Sequence, residues 1–355
     1  MKDDNVVTRF ALIGCGAIAY KHVTALGRME NVRIVGAYDV DASAAKKFGE
    51  KYSIPTYSDL EKMVEETDPH LLNILTPSGD HAKTILKVIP FGRHIVVEKP
   101  LALRLDDIDQ ILVESDQRGV KIFVVKQNRF NPPIAKLKEA LNKGRFGKLV
   151  MGTVRVRWKR DQAYYDQKPW RGTWAEDGGV LTNQASHHID MLIWMMGDVQ
   201  SVMAKTCTRL VDIEAEDTAV AIIKFRNGAL GVVEAMTSVR PKDLEGSISI
   251  LGEKASVEVG GYFMNELKSW NFAEPDGSDA EVWDGHAKTP ADPAWNHTEF
   301  FKDVIESLKT GKRGLIDGFE GRKSIELINA LYESADTGKE VFLRFVPSKS
   351  RLGMN

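Results

Sequence analysis

A glycine-rich turn stands between the first strand pattern and the first helix pattern of the chain. Gly14-Cys15-Gly16-Ala17-Ile18-Ala19 follows an apolar run that ends at Ile13. Gly14 permits a tight turn, Gly16 lets a pyrophosphate approach the backbone, and the small third residue allows close helix packing. The first helical turn also offers unpaired N–H groups to phosphates, which places Ala17 and Ile18 at the same predicted site. The loop predicts a dinucleotide-binding turn; the alternative is a purely structural turn.

An acidic residue stands where such a loop needs one. Asp39 ends the next strand pattern, 25 residues after Gly14. That spacing is typical of a carboxylate that binds the adenosine ribose. Asp39 and Asp41 would repel a 2′-phosphate, so NAD is favoured over NADP. The alternative is a solvent-exposed aspartate beside a structural turn.

A lysine stands at the end of another strand pattern. Glu98-Lys99-Pro100 follows the apolar run His94–Val97. Ligands of open α/β sheets bind outside the carboxyl ends of the strands, so Lys99 is predicted to point into the cofactor crevice. The alternative interpretation is a solvated lysine or an edge ion pair.

The second half of the chain carries a candidate catalytic histidine. If the segment from Asn183 is helical, then Asn183, His187 and Asp190 share one face. Asp190 would orient the imidazole, while Asn183 and His187 would address a sugar hydroxyl. The alternatives are a core histidine bonded to Asp190 and a metal site. No third or fourth ligand stands at helical spacing, so no metal is predicted.

Cations cluster on a strand pattern before these residues. Arg155, Arg157 and Lys159 alternate, and Arg160 and the Tyr164-Tyr165 pair follow. Such cations could bind a diphosphate and a carboxylate. The alternative is a solvated, charged strand face.

Two kinds of structural element must position these residues. Strand and helix patterns alternate up to about residue 127, which predicts an α/β domain with a Rossmann-type, doubly wound parallel sheet in residues 1–127. An α+β domain with a large, mostly antiparallel open sheet is predicted for residues 128–355. Strands are predicted there over Lys148–Trp158, Gln200–Thr208, Ala219–Phe225, Ala229–Ala235 and Ser247–Val259, with helices over Asn296–Lys309 and Phe319–Ser334.

Composition limits the possible partners. The chain has 355 residues, 48 Lys and Arg against 50 Asp and Glu, and a formal net charge of -2. This balance predicts no affinity for nucleic acid or for an anionic membrane. The polar N-terminus lacks a signal-peptide pattern, and the two cysteines, Cys15 and Cys207, lack metal-ligand spacing. A cytoplasmic protein is therefore expected.

Taken together, the motifs resemble the glucose–fructose oxidoreductase, inositol dehydrogenase and rhizopine-catabolism family. The resemblance spans nearly the whole chain. It rests on the Gly14 loop, Thr76–His81, Glu98-Lys99-Pro100, the glycine pair Gly178-Gly179 leading to His187 and Asp190, and the Tyr332–Lys339 segment. It implies an NAD-dependent dehydrogenase in which Lys99 and His187 are catalytic. It also implies that the dinucleotide is contacted by Thr76, Pro77, Ser78, His81, Glu98, Lys99, Gln127, Trp170 and Arg171.

Two segments resemble one branch of that family. Val125–Pro132 and Leu181–His188 are similar to dehydrogenases that oxidise C3 of UDP-N-acetyl-2-amino-2-deoxy-glucuronate for bacterial surface polysaccharide. Asn183 departs from the aspartate that many sugar and inositol dehydrogenases carry beside the histidine, which argues against a simple monosaccharide. The branch implies substrate contacts from Lys99, Arg157, Arg160, Tyr165, Asn183, Gln184 and His187. It also implies a tetramer, and reoxidation of NADH by 2-oxoglutarate in some relatives.

Other functions are compatible with the same motifs. One is another NAD-dependent sugar or inositol dehydrogenase of the family. A second is an NAD-dependent glycosidase that oxidises C3 transiently and reduces it again. A non-enzymatic sensor of dinucleotide or sugar is a third, although such a sensor needs neither Lys99 nor His187. A metal-dependent sugar isomerase or hydrolase is the last.

Overall fold

The structure is a computed structural model that describes residues 7–283, 290, 292 and 294–343. Its first part is a parallel sheet of six strands in the order β3-β2-β1-β4-β5-β6. The strands are β1 Thr8–Ile13, β2 Val32–Tyr38, β3 Thr56–Tyr57, β4 Leu71–Ile74, β5 His94–Val97 and β6 Ile122–Val124. The prediction of a doubly wound parallel sheet is confirmed. The chain reverses direction across the sheet between β1 and β4, and ligands of this fold bind at that point.

Helices connect these strands. They are α1 Ala19–Leu26, α2 Ala42–Tyr52, α3 Leu60–Thr67, α4 His81–Val88 and α5 Leu105–Gln117. The sequence pattern of residues 105–117 predicts a helix, and α5 spans these residues. The sequence analysis did not identify α2, α3 or β3. Helix α2 buries only Ala45, Phe48 and Gly49, so its apolar stripe is too narrow to stand out from its lysines.

The second part of the chain is built on a sheet of eight strands in the order β13-β12-β11-β7-β10-β9-β8-β14. They are β7 Leu149–Arg157, β8 Val199–Cys207, β9 Thr218–Phe225, β10 Leu230–Met236, β11 Glu245–Gly252, β12 Ala255–Gly260, β13 Glu266–Phe272 and β14 Val341–Phe342. All neighbours are antiparallel except β7 and β10. The predicted mostly antiparallel sheet is therefore confirmed.

Two details of this sheet differ from the prediction. Ser247–Val259 is not one strand, because the chain turns between Gly252 and Ala255 and pairs β11 with β12 as a hairpin. Strands β13 and β14 were not predicted. In β13 the alternation is interrupted: Glu266, Lys268 and Asn271 are exposed, whereas the consecutive residues Ser269 and Trp270 are both partly buried.

Six helices accompany this sheet within the described part of the chain. They are α6 Pro132–Asn142, α7 Gln162–Tyr165, α8 Ser186–Met196, α9 Gly277–Glu281, α10 Trp295–Thr310 and α11 Gly318–Thr337. Helices α8 and α11 cover one face of the sheet, where Val154 and Val156 of β7 are buried. The opposite face of β7 carries Arg155 and Arg157, which are only partly buried.

The last two long helices return to the first sheet. Phe301 of α10 packs its ring at 5.6 Å from that of Phe10 in β1. Asp317, immediately before α11, forms an isolated bridge with Phe123 of β6. The two parts of the chain are therefore joined by a continuous hydrophobic core. None of the helices in the described residues is long and apolar enough to cross a membrane.

Candidate active site

The glycine loop closes tightly against the strand end beside it. Gly14 has φ +108°, and a Cβ there would lie 2.7 Å from the carbonyl carbon of Leu75. A side chain at Gly14 is excluded by both the conformation and the space. By contrast, nothing lies within 4 Å of a Cβ built on Gly16. That open space is where a pyrophosphate would approach the backbone, at the turn that Ala17 and Ile18 carry into α1.

Asp39 lies against this loop. One of its carboxylate oxygens accepts a 2.8 Å hydrogen bond from the Cys15 amide, and the other accepts one of 2.9 Å from the Asp41 amide. The carboxylate is thereby fixed at the tip of β2, beside the phosphate-binding turn. The Asp41 side chain instead caps the N-terminus of α2, because it accepts hydrogen bonds from the amides of Ser43 and Ala44.

The loops after β4 and β5 form the next wall of the site. His81 is buried, and its two ring nitrogens lie 2.6 Å from the Pro100 carbonyl and 2.9 Å from the Thr76 carbonyl. Burial lowers the pKa of His81. The ring therefore ties the two loops together, and a contact of His81 with the cofactor stays a prediction. Pro77 and Ser78 stand at the start of the short 3₁₀ turn that leads into α4.

Glu98 directs its carboxylate towards two histidines. Its Oε1 lies 2.8 Å from His22 Nε2 of α1 and 3.9 Å from His297 Nε2 of α10. Burial alone would raise the pKa of Glu98, but the two imidazoles hold it well below its ordinary value. A contact of Glu98 with the cofactor was predicted; its Oε1 is engaged by the two histidines, and the contact stays a prediction.

These three residues are also the only cluster in the described part of the chain whose ligand atoms lie close enough together for a metal ion. The 2.8 Å contact between Glu98 and His22 is a hydrogen-bond distance. Two ligands of one tetrahedral zinc ion lie about 3.3 Å apart, given bonds of about 2.0 Å. The geometry therefore fits a hydrogen-bonded cluster that joins α1, β5 and α10.

Lys99 reaches across to the second domain. Its Nζ donates a 2.8 Å hydrogen bond to the main-chain carbonyl of Asn183, and its side chain stays partly exposed. Burial lowers the pKa of Lys99, while the carboxylates of Glu98 and Asp177 oppose that shift. The side chain of Asn183 turns away from Lys99, because its Nδ2 donates to Asp177 Oδ1 at 2.5 Å.

His187 stands beside these residues. Its Nε2 lies 3.5 Å from Gln127 Nε2, and it too remains partly exposed. Burial and the positive charge of Lys99 lower the pKa of His187 to about 3, so the imidazole is neutral at physiological pH. A neutral imidazole is in the form that accepts a proton. The structure therefore brings Lys99, His187, Gln127 and Asn183 together at the carboxyl ends of β5 and β6.

The local structure around His187 differs from the prediction in two ways. The helix does not begin at Asn183, since Val180–Gln184 forms a π-helical turn and α8 begins at Ser186. Asp190 does not hold the imidazole either. Its carboxylate accepts hydrogen bonds from Lys126 and Arg129, both of which are buried. These bonds satisfy Asp190 in the core between α8 and the chain after β6.

A group of aromatic and cationic side chains adjoins Asn183. Arg160 donates hydrogen bonds to Gln184 Oε1 at 3.2 Å and to the Tyr262 hydroxyl at 2.6 Å. Its guanidinium carbon lies 5.5 Å from the Trp158 ring and 5.2 Å from the Tyr164 ring. We call Trp158, Arg160, Tyr164, Gln184 and Tyr262 the Arg160 cluster. The two predicted substrate residues Arg160 and Gln184 are thus neighbours.

Arg171 extends the same surface. Its guanidinium carbon lies 4.0 Å from the Tyr164 ring and 5.7 Å from that of Trp170, and it donates to the Tyr164 carbonyl. Its Nε is buried with no hydrogen-bond partner. The cluster therefore joins Arg171 and Trp170, which were predicted to contact the cofactor, to Arg160, which was predicted to contact the substrate.

Two other predicted substrate residues have different surroundings. Arg157 pairs with both carboxylate oxygens of Glu234, at 2.6 and 2.7 Å, and with Glu245 at 3.1 Å, across the partly exposed face of the sheet. Tyr165 is buried, and its hydroxyl is bonded to Thr237 Oγ1 at 3.0 Å. Burial raises the pKa of Tyr165 to about 12. Neither residue is shown near Lys99, so their substrate contacts stay predictions.

Sequence reasoning missed three parts of this site. The ring that faces Arg160 and Arg171 is that of Tyr164, not that of Tyr165, because the one-turn helix α7 directs the two tyrosines to different sides. Tyr262 comes from the loop between β12 and β13, a segment with no motif. Asp177 lies just before the glycine pair that the sequence analysis noted, and an acid at that position was the available signal.

The site fits a dinucleotide. Besides the open space at Gly16 and the fixed carboxylate of Asp39, the buried Thr76 Oγ1 and Gln127 Oε1 have no hydrogen-bond partner. Both lie at strand ends that border the crevice, after β4 and β6. Buried polar atoms without partners are uncommon, and a bound ligand is one way to satisfy them.

Comparisons with known proteins agree with this reading. Residues 8–126 match the family model described as "Oxidoreductase family, NAD-binding Rossmann fold", and residues 138–343 match "Oxidoreductase family, C-terminal alpha/beta domain". Myo-inositol 2-dehydrogenase of Thermotoga maritima is 28% identical over 233 residues, which is 64% of this chain and 67% of that protein.

Two solved structures match nearly the whole chain. The WlbA dehydrogenase of Bordetella pertussis in complex with NADH and UDP-GlcNAcA is 38% identical, with a TM-score of 0.92, and the match covers 96% of this chain and 99% of that one. The WlbA dehydrogenase of Chromobacterium violaceum, with the same ligands, is 40% identical, with a TM-score of 0.90, over 97% and 98% of the two chains.

The predicted cofactor is thus confirmed as NAD, and the predicted family by matches to both parts of the chain. The glycine loop, the aspartate held beside it and the two matched parts of the fold all occur in one chain. The chain belongs to the Gfo/Idh/MocA family of NAD-dependent oxidoreductases.

Proposed function

We propose that the protein oxidises the C3 hydroxyl of UDP-N-acetyl-2-amino-2-deoxy-glucuronate to the 3-keto sugar, with NAD as acceptor. The observation that carries this proposal is the Arg160 cluster, which presents a guanidinium among aromatic rings beside Asn183. Such a surface suits an acidic nucleotide sugar, because arginine binds carboxylates and phosphates and aromatic rings stack on bases and sugars. The likeness to the two WlbA dehydrogenases supports the same substrate.

Lys99 and His187 divide the chemistry at the C3 oxygen. NAD, when bound, supplies the acceptor for the hydride that leaves C3. His187 takes the proton of the C3 hydroxyl, since its neutral imidazole has a free lone pair at physiological pH. Lys99, as an ammonium group, donates a hydrogen bond to the same oxygen and stabilises its developing negative charge.

The roles of these two residues are open to exchange. Burial lowers the pKa of Lys99, which brings its neutral amine closer to the physiological range. An amine at Lys99 would then accept the proton, and the His187 imidazole would only bind the oxygen. The single-turnover rate of His187→Asn separates these assignments, because a near-normal rate would assign the base to Lys99.

The substrate acid is recognised at the Arg160 cluster in this proposal. Arg160 is partly buried, and within the described residues the only carboxylate at ion-pair distance from it is that of Asp243, whose oxygen lies 3.5 Å away. A substrate carboxylate or diphosphate would complete its hydrogen bonding. Arg171 carries an unpartnered buried Nε close by and would serve the same anion or the NAD phosphates.

The experiment that tests the function is incubation with NAD and a panel of UDP-sugars, with NADH formation followed by absorbance and products by mass spectrometry. The expected product of the N-acetyl-hexosaminuronate is two mass units lighter than the substrate, since one hydride and one proton are lost. UDP-N-acetylglucosamine, which lacks the carboxylate, should react poorly, and Lys99→Met should strongly slow both reactions. Comparable turnover of the neutral and acidic sugars would reject the uronate assignment.

The same incubation tests two further expectations. A cytoplasmic enzyme of surface-polysaccharide synthesis would meet 2-oxoglutarate, so its addition should restore NAD if NADH is reoxidised in place. A transient oxidation, as in an NAD-dependent glycosidase, would instead give cleaved sugar without accumulated ketone or NADH. Product masses distinguish the two.

A tetramer is part of the proposal. The face of the large sheet opposite α8 exposes Met203, Val220, Ile222 and Leu230, by 48 to 59% of their surfaces. Met203 and Ile222 are register partners on neighbouring strands, so they form a continuous apolar patch. Association through this face would bury the patch. Light scattering should give four times the chain mass, and Ile222→Lys should lower the assembly state.

A further inference from the structure

The buried carboxylate of Asp177 is bonded to Asn183, the residue whose carbonyl Lys99 contacts. Asp177 is 3% exposed and lies in the loop that precedes the π-helical turn Val180–Gln184. Its Oδ1 accepts the 2.5 Å hydrogen bond from Asn183 Nδ2, and its Oδ2 accepts one of 3.0 Å from the Gly172 amide. Both oxygens therefore have fixed partners.

Asp177 and Lys99 hold Asn183 from two sides. The Asn183 side chain donates to Asp177, while its main-chain carbonyl accepts from Lys99 Nζ at 2.8 Å. The carboxylate and the ammonium group are thus linked through one residue. The first bond fixes the side chain of Asn183, and the second joins its main chain to Lys99.

The local backbone leaves this arrangement little freedom. Gly178 has φ +70°, and a Cβ there would lie 2.7 Å from Thr182 Oγ1. A Cβ on Gly179 would collide with the carboxylate of Glu216. The chain between Asp177 and Asn183 is therefore closely packed, so that the position of Asp177 is coupled to that of Asn183.

The charges around the pair are few. Lys99 is influenced by the carboxylates of Glu98 and Asp177, and its own charge acts on His81 and His187. Asp177 is influenced by Lys99 and Arg171. Burial raises the pKa of Asp177, and the Gly172 amide and Lys99 are the main influences that oppose this rise. The Glu98 carboxylate is hydrogen-bonded to His22, whereas the Asp177 carboxylate is bonded to Asn183. Loss of the Asp177 charge should therefore change the surroundings of Lys99 on the side of Asn183.

We propose that Asp177 is a positioning residue that acts through Asn183: it fixes the carbonyl to which Lys99 is bound and supplies negative charge that balances the Lys99 ammonium group. This inference rests on the proposed function, because it concerns the charge state of Lys99 in the reaction. It adds a residue that makes no contact with the reacting atoms.

The test compares Asp177→Asn, Asn183→Asp and the double variant Asp177→Asn with Asn183→Asp. The first removes the charge with almost no change in shape. The double variant returns a carboxylate and an amide to the same pair with their positions exchanged. Glu214→Gln is the matched control, since Glu214 also holds this loop by accepting from the Trp174 amide at 3.0 Å.

The first readout does not depend on the reaction. Competitive labelling of Lys99 with acetic anhydride across pH, quantified by peptide mass spectrometry, reports the pH at which its amine becomes neutral. Asp177→Asn should lower that pH by about one unit, the effect of removing a nearby opposite charge. The double variant should restore it, and Glu214→Gln should leave it at the parent value.

The second readout is single-turnover NADH formation with the UDP-sugar acid. Asp177→Asn should slow it by roughly 10 to 10²-fold through misplacement of Lys99, with NAD affinity unchanged. The limb of the pH–rate profile that depends on Lys99 should move to lower pH, as in the labelling experiment.

The outcomes separate the two proposals. A parent protein that oxidises none of the sugars, but in which labelling shifts as expected, overturns the proposed function and retains the Asp177–Lys99 coupling. An Asp177→Asn variant that is merely less stable, with a labelling profile equal to that of the parent, overturns the role of Asp177. A shift that the double variant fails to reverse overturns the role of Asn183 as the link.

Discussion

The Lys126 ammonium group donates a 2.5 Å hydrogen bond to Asp190 Oδ1, and the two side chains are only 4% and 3% exposed. Arg129 donates to the same carboxylate at 2.8 and 2.9 Å. Burial alone would raise the pKa of Asp190, but the two cations hold it at about 2. Asp190 is therefore a structural anion at the junction of the two domains.

Replacement of this anion should be strongly destabilising. Asp190→Asn leaves Lys126 and Arg129 buried without full compensation, which is expected to cost about 3–5 kcal/mol of unfolding free energy. Urea denaturation measures this loss. Asp106→Asn is the control, because Asp106 is 88% exposed and its replacement should change stability by less than about 0.5 kcal/mol. Equal stabilities of the two variants would show that the buried network contributes little.

The neutral state of His187 predicts the shape of the pH–rate profile. Because its pKa is lowered to about 3, the imidazole stays neutral throughout the range from pH 5 to 8. The acid limb of kcat/KM should therefore not appear near pH 6.5, the ordinary value of histidine. In Lys99→Met the positive neighbour is lost, so the pKa of His187 should rise and the acid limb of the residual activity should move to higher pH.

Removal of His187 or Lys99 should affect the chemical step and spare cofactor binding. His187→Asn is expected to slow single-turnover NADH formation by about 10²–10⁴-fold, the contribution of a positioned base. In the double variant with Lys99→Met, the fold decrease in the single-turnover rate should be much smaller than the product of the two single decreases, since both groups act on one oxygen. NAD affinity, measured by calorimetry, should stay near the parent value. A near-normal rate in His187→Asn would assign the base to Lys99.

Arg160 and Arg157 provide a matched pair for substrate recognition. Arg160 bonds Gln184 beside Asn183, whereas Arg157 is neutralised by Glu234 and Glu245 on the partly exposed sheet face. Arg160→Ala should raise KM for the UDP-sugar acid by 10-fold or more, as expected for a lost charged hydrogen bond of about 1.5–3 kcal/mol. Arg157→Ala should leave KM within about twofold. The reverse order would move the anion site to the sheet face.

Sequence alone could identify the site residues that directly follow, or nearly follow, the end of a single strand. Gly14, Asp39 and Lys99 each follow a buried strand, so their place in the crevice follows from the topology of a parallel sheet. The partners of Asp190 could not be inferred, because Lys126 and Arg129 are more than 60 residues away and form no motif with it. Helical spacing predicted that Asp190 is bonded to His187. In the structure Asp190 is instead bonded to the buried cations Lys126 and Arg129.

The same limit applies to the substrate side. The sequence contains adjacent tyrosines, and only the packing of α7 determines that Tyr164 meets Arg160 while Tyr165 is buried against Thr237. Likewise, the π-helical turn at Val180–Gln184 has no distinct sequence signature. In this turn the main-chain carbonyl of Asn183, and not its side chain, accepts the hydrogen bond from Lys99.

Asp39 should determine the choice of cofactor. Its carboxylate is held beside the glycine loop by the Cys15 and Asp41 amides, where it would accept hydrogen bonds from the ribose hydroxyls and repel a 2′-phosphate. The parent protein should therefore bind NAD much more tightly than NADP, and Asp39→Ala should narrow the difference. Dissociation constants from fluorescence titration measure both. Equal affinity of the parent for the two dinucleotides would reject this role.

Glu216 supports the π-helical turn Val180–Gln184 and should give the protein a distinct pH dependence of stability. Its Oε1 accepts from the Leu181 amide at 2.9 Å and from the Tyr332 hydroxyl at 3.0 Å, while its buried Oε2 has no partner. Burial raises the pKa of Glu216 from 4.5 to about 7. The folded state therefore holds a proton that the unfolded state releases above pH 4.5.

The sign of the effect follows from that proton. Between pH 4.5 and 7 the folded protein binds more protons at Glu216 than the unfolded chain, so this residue makes stability fall as pH rises and then level off. A rise from 4.5 to about 7 corresponds to a loss of about 3 kcal/mol at 1.36 kcal/mol per unit. Glu216→Gln should remove this slope, so the variant should match the parent at pH 5 and exceed it in stability at pH 8. Glu333→Gln, on the exposed side of the same helix as Tyr332, should follow the parent at both values. Urea denaturation at pH 5, 6, 7 and 8 measures the difference, and a Glu216→Gln variant that is less stable than the parent at pH 8 would show that Glu216 is favourably ionised in the folded protein.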